Sequence, residues 1–148
     1  MLIGVPPILS PELLKVLAEM GHSDRIIIGD GNFPGETMGK NAKVIRCDGL
    51  DVPALLDAIL TVIPLDTYVE HPVLQMALVP DDVGKIETPI WDEYIKIISK
   101  HDKRGAKTIK HIERFDFYEE AKKCYAVVTT SERAVYANII LQKGVVEL

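Results

Sequence analysis

The sequence predicts a single layered α/β domain over residues 1–148, a mixed β-sheet flanked by helices. Three observations carry that expectation. Segments with apolar residues at helical spacing alternate with short strand-like runs along the whole chain. Two of the runs, RIIIG at 25–29 and VLQMALV at 73–79, are nearly all apolar, which suits strands covered on both faces. The 148 residues are 47% hydrophobic and 26% charged, a balance that suits one globular domain with one core.

The elements follow in order. Residues 2–9, with two prolines, form an extended lead-in. A helix over 11–20 has Ser10 as N-cap, Pro11 at its first position and Glu12 in its first turn. Gly21 stands where a left-handed residue is wanted after the helix. The strand 25–29 ends at Asp30, and open α/β sheets place ligands just past the carboxyl ends of strands. The loop 31–43 is dense in turn residues, among them Gly31, Asn32, Pro34 and Gly35, and a loop this long in a small domain is often functional. A short strand at 43–46 and a turn at 47–49 lead to a helix over 52–63. That helix has Leu55, Leu56, Ile59, Leu60 and Ile63 inward, and Pro64 stops it. After the strand 73–79, Thr88 and Pro89 read as N-cap and first residue of a helix to Lys100, with Trp91, Tyr94, Ile95, Ile97 and Ile98 on its apolar face. Gly105 breaks the chain before a strand at 108–113. A helix at 115–123 turns Phe115, Phe117, Tyr118 and Ala121 inward. Strands at 125–129 and 138–141 complete the sheet, and an antiparallel pairing of these two makes it mixed.

Composition excludes several functions. The net charge is −5 and no basic stripe with interleaved aromatic residues occurs, which argues against nucleic-acid binding. Cys47 and Cys124 are far apart with no CxxC spacing, and read as reduced, buried thiols of a cytoplasmic protein. The opening residues lack the pattern of a secretory signal, and no apolar run approaches the ~20 residues of a membrane span.

Candidate chemistry sits in three places. His22 follows a helix end; it either complements the helix dipole or serves as a general acid or base, since imidazole titrates close to neutral pH. Asp30 is either a solvated strand-end acid or a polar anchor. Arg114 and Tyr118, with Tyr136 and Asn138, offer fixed donors, a paired donor and acceptor, and phenols, a set suited to hydroxyl groups; taken singly, each also fits surface polarity or packing. His71, His101 and His111 show no metal-ligand spacing, so no metal is expected. GDGNFPG matches neither dinucleotide nor P-loop patterns, and no GxSxG elbow or Cys-His signature occurs, so no nucleotide cofactor is expected either.

Taken together, these segments resemble the FucU/RbsD family of sugar mutarotases, and specifically its fucose branch. SPELLKVLAEMGH at 10–22 is similar to the family's opening helix and histidine, and the strand ending at Asp30 followed by NFP to its first loop. IRCDG at 45–49, LDTYVE at 65–70, TPIWDEY at 88–94, IERFDFYEEAKK at 112–123 and YANIILQKG at 136–144 match in the same order. The resemblance implies an RbsD-like fold and interconversion of α and β anomers of L-fucose without any cofactor. It implies His22 as proton donor, Tyr136 as a catalytic phenol, and Asp30, Arg114, Tyr136, Ala137 and Asn138 as sugar contacts. The ribose branch carries a histidine where Arg114 stands, which favours fucose; Ala137 stands where fucose enzymes often have glycine, which keeps D-ribose open as an alternative. Ser23 likewise occupies a position where the fucose branch commonly has glycine. The resemblance further implies a homo-oligomer, a decameric ring among the assemblies, with each site shared between adjacent subunits. The exposed lead-in and Trp91 are candidates for subunit contacts.

The mechanism expected on this basis has His22 delivering a proton to the ring oxygen, oriented or kept charged by Asp30, while Tyr136 handles the anomeric hydroxyl. A non-catalytic sugar-binding accessory protein is the rival from another class.

Overall fold

The computed structural model describes residues 1–148 and orders six strands into one mixed sheet. The strands are β1 (Arg25–Gly29), β2 (Lys43–Cys47), β3 (Val73–Met76), β4 (Ile109–Ile112), β5 (Ala126–Thr130) and β6 (Ile139–Gln142). The helices are α1 (Pro11–Glu19), α2 (Gly35–Met38), α3 (Val52–Val62), α4 (Pro89–His101) and α5 (Arg114–Ala121). The sheet order is β2-β5-β1-β6-β3-β4. Parallel pairs join β1 to β5, β2 to β5 and β3 to β4, while β6 is antiparallel to both β1 and β3. Five strands therefore run one way and β6 alone runs back. The late strands β5 and β6 do not pair, contrary to expectation: β1 lies between them, because its three fully buried isoleucines need covered neighbours on both sides.

Alternation along the strands divides the core. Ile26, Ile28, Val128, Ile139 and Leu141 face α1, α3 and α4 in a cluster of 26 buried residues. Ile27, Val127, Ile140 and Met76 face α5 in a cluster of only seven. The thinner layer is where a cavity finds room.

Local sequence explains most helix ends. Ser10 Oγ accepts from the Leu13 N–H at 3.2 Å, and Asp51 caps α3 through the Ala54 N–H at 3.0 Å. Thr88 makes no side-chain cap on α4, so Pro89 alone marks that start. The end of α1 also differs from expectation. Gly21 is not left-handed; Ser23 is, at φ 70°. Lys143 Nζ reaches across to the Leu17 and Met20 carbonyls at 2.9 and 2.6 Å, satisfying the orphan acceptors that a glycine cap would otherwise close. The left-handed backbone at Ser23 is one that glycine adopts without steric cost. The helix after β4 begins one residue earlier than expected and leaves Phe115 exposed, with Phe117 and Ala121 buried. Both cysteines are free and buried. No helix is long and apolar enough to cross a membrane.

Candidate active site

Because five strands share a direction, their carboxyl ends and the amino end of β6 meet at one edge of the sheet. Asp30 leaves β1 there, the segment after β3 crosses there, Arg114 opens α5 there, and Tyr136 to Asn138 enter β6 there. Asp30, Asn32, Phe33, Met76, Tyr118, Val135, Tyr136 and Asn138 line a cavity of about 190 Å³ at this edge. It is smaller than the ~300–1,000 Å³ of drug-sized sites and mixes ring faces with convergent polar groups, as a monosaccharide requires.

The three residues before β6 are held from three directions. Trp91 Nε1 donates to the Tyr136 carbonyl at 2.8 Å, Tyr94 Oη donates to the Ala137 carbonyl at 2.7 Å, and Asn138 Oδ1 accepts from the Asp30 N–H at 2.7 Å. These bonds hold Tyr136 at φ 56°, a left-handed conformation that costs a non-glycine residue about 1–2 kcal/mol. The half-buried Trp91 thus anchors the site, with its ring tilted 43° against His111 at a centroid distance of 4.2 Å.

Asp30 is buried, not solvated. Burial pushes its carboxyl above the usual range, and the Asn32, Ala137 and Phe33 N–H groups pull back only in part. Tyr136 donates its phenol proton to Asp82 Oδ2 at 2.5 Å and accepts the Val79 N–H at 3.3 Å. Desolvation and the Asp82 carboxylate both raise its titration, and Arg114 opposes them. Arg114 itself is exposed, its guanidinium 5.3 Å from the Phe115 ring centroid. The sequence-predicted contacts Asp30, Arg114, Tyr136, Ala137 and Asn138 therefore gather at one edge.

His22 lies at the other edge. It precedes β1, whereas Asp30 follows it, so roughly 17 Å of strand at ~3.3 Å per residue separates them. Asp30 cannot orient His22 within one chain. The carboxylate that does so is Asp66: His22 Nε2 lies 3.1 Å from Asp66 Oδ1. Asp66 is 1% exposed and also accepts the Tyr68 N–H at 2.9 Å and Gln142 Nε2 at 2.8 Å. Burial alone would raise its carboxyl, but those donors together with His22 hold it below the usual carboxylate range. The chain of contacts continues, as Gln142 Oε1 accepts from Arg25 Nε at 3.0 Å, and Arg25 pairs with Glu120. The Tyr68 ring covers His22 at 5.1 Å. An ionised Asp66 can only accept, so it fixes a proton on Nε2 and leaves Nδ1 to exchange protons with a ligand.

Asp66, Tyr68 and Asp82 escaped the sequence reading. LDTYVE was among the matched segments, yet nothing in it marks Asp66 as the acid that meets His22, 44 residues away. A larger hollow of about 300 Å³ lies under the C-terminal tail, but its His101 is already paired with Asp57 at 2.7 Å and no sequence-predicted residue lines it.

The class defined by this arrangement is a small α/β protein with a sugar-sized site at the strand ends and an oriented imidazole at the opposite edge. Comparison with known proteins narrows it. Residues 3–146 match the RbsD/FucU transport protein family. The chain is 52% identical over 147 residues to the fucose mutarotase of Mus musculus, covering 98% of this chain and 95% of that protein. It superposes on the crystal structure of FucU from Bifidobacterium longum with a TM-score of 0.94 and 57% identity, covering 97% and 99% of the two chains. For the Streptococcus pneumoniae fucose mutarotase in complex with L-fucose, the TM-score is 0.89 and the identity 46%, covering 99% and 100%. The chain belongs to the RbsD/FucU family.

Proposed function

We infer that the protein is an L-fucose mutarotase, interconverting the α and β anomers of L-fucose by ring opening and closure. The observation that carries this reading is the near-full-length likeness to fucose mutarotases, one of them in complex with L-fucose, joined to a cavity whose polar lining suits a monosaccharide.

In this reading Asp30, Arg114, Asn138 and the backbone at Ala137 hold ring hydroxyls, and Tyr136 meets the anomeric hydroxyl. His22 gives its Nδ1 proton to the ring oxygen while Asp66 steadies Nε2. The ring opens to the aldehyde, C1 rotates, and closure on the other face returns the protons. No cofactor enters these steps. Two positioned groups contribute ~10²–10⁴-fold each.

His22 and Tyr136 stand at opposite edges of one chain, so the reading requires that the imidazole come from a second copy. Exposed Val83, Phe115 and Val135 near the cavity and exposed Tyr68 beside His22 offer apolar surface for such a contact. The assembly is thus a homo-oligomer with shared sites, and the exposed N-terminal Leu2 and Ile3 give it further apolar area.

The test is saturation-transfer NMR of anomer exchange on L-fucose and, separately, D-ribose. The reading expects faster exchange on L-fucose and its loss in His22→Ala. Tyr136→Phe slows it, and retention of the full rate removes the phenol from the mechanism. Mixing His22→Ala with Tyr136→Phe subunits restores partial activity if sites are shared. Sugar binding by calorimetry without faster exchange in the wild type turns the reading to an accessory sugar-binding protein.

A further inference from the structure

We propose that Asp82 is a positioning residue for ring opening, acting through the Tyr136 phenol as the final acceptor of the anomeric proton. The inference rests on the reading of Tyr136 given above, and deepens it.

The geometry at the phenol oxygen leaves one role open. Its proton is committed to Asp82 Oδ2 at 2.5 Å, and one lone pair accepts the Val79 N–H at 3.3 Å. The remaining lone pair can only accept. A sugar hydroxyl docked against Tyr136 must therefore donate to it. Asp82 sits in a single turn, Pro80–Asp82, a few residues after β3, and Val79 caps the same turn, so one short segment supplies both of the phenol's partners. On the other side the left-handed backbone of Tyr136, tied down by Trp91, fixes the ring against that segment. A phenol with its usual titration near ~10 is a poor base at neutral pH, and both burial and Asp82 raise it further. A relay removes the need for free phenolate.

The step balances as written. The O1–H bond breaks as its proton forms a bond to the phenol oxygen, and the phenol's own proton passes to Asp82 Oδ2. The electron pair of O1–H becomes the second bond of the C1 carbonyl. The C1–O5 bond breaks with its pair remaining on O5, which takes the Nδ1 proton of His22. Asp82 and His22 both end neutral, and closure reverses each transfer.

The charged and titratable groups facing the phenol are Asp82, Arg114 and Tyr118 from α5, and Asp30 from the loop after β1. Asp82→Asn keeps a hydrogen-bond acceptor for Tyr136 but not a base. Anomer exchange of L-fucose is measured in wild type, Asp82→Asn, Asp82→Glu, Tyr136→Phe and the double variant, with L-fucose affinity by calorimetry. The expected result is an exchange rate ~10²-fold lower in Asp82→Asn, with affinity within threefold, and partial recovery in Asp82→Glu. The double variant is no slower than Tyr136→Phe alone, because the two groups act as one unit.

An Asp82→Asn rate within threefold of wild type overturns the proposal, as does a double variant slowed by the product of the single effects. Should Asp82→Asn fold poorly, Asp82→Ser in the same assay decides by the same criteria. A full rate in Tyr136→Phe defeats the parent reading; a slow Tyr136→Phe beside a normal Asp82→Asn defeats this inference alone.

Discussion

Removing the Asp66 carboxylate tests the reasoning about the His22 edge most directly. In Asp66→Ala two donors lose their acceptor: Gln142 Nε2, in a residue 7% exposed, and the half-buried Tyr68 N–H. A buried unpaired donor costs ~1–3 kcal/mol, and a partly wetted one less, giving a total of about 2–4 kcal/mol. His22 adds little, because its side chain is 44% exposed and water replaces the lost partner. At ~2–4 °C per kcal/mol for a chain of this size, the melting temperature falls by about 4–16 °C at fixed protein concentration. The Asn variant is milder but not neutral. Its amide nitrogen faces the Gln142 amide, and turning Gln142 over only moves the mismatch to Arg25 Nε. The sign of the pH dependence follows from the lowered carboxyl. The unfolded chain binds a proton on Asp66 more readily, so the stabilisation is complete above the unfolded pKa of ~3.9 and is lost as pH falls through the folded one. Urea unfolding of wild type and Asp66→Ala at neutral pH and below pH ~4 reads both effects. A variant within ~0.5 kcal/mol of wild type at neutral pH, or a gap that does not narrow on acidification, refutes the account.

Two further outcomes follow from the same geometry. Asp30→Asn unfolds at higher urea than wild type at pH 7 but binds L-fucose more weakly. The raised carboxyl makes wild type progressively less stable as pH climbs from the unfolded carboxylate range through the folded one, so the stability gap widens over that interval and then levels. Equal stability across that range counts against the burial argument. Gly144→Ala places a Cβ 2.6 Å from the Leu65 carbonyl and 2.9 Å from Asp66 Cα, both backbone atoms that must shift. It lowers stability by about 1–3 kcal/mol and slows anomer exchange without touching the sugar, and unchanged exchange shows that Asp66 tolerates displacement.

Much of the fold was legible because it is written in local patterns. The isoleucine run in β1, the spacing in α3 and the Ser10 cap depend on neighbours a few residues apart, and the expected elements fall within a few residues of their limits, while the short α2 lies inside the stretch expected to be a loop. Asp30, Asn138 and Tyr136 were legible for a related reason: strand-end positions are where open sheets leave backbone and side chains free to meet a ligand. Phe115 shows the limit of such reasoning, since its position beside Phe117 says nothing of which way the helix turns once α5 lies on the thin face.

The sequence by itself determined the alternation of helices and strands, the buried runs, and a set of residues fit for binding hydroxyls. Only the tertiary structure decided how those residues group. Placing β1 between β5 and β6, with β6 reversed, sends Asp30 and Tyr136 to one edge and His22 to the other, and it brings in Asp66 and Asp82 from distant segments. Strand order and direction are set by burial summed over the whole sheet. No local pattern encodes them, so the partners of His22 and Tyr136 become visible only when the sheet is assembled.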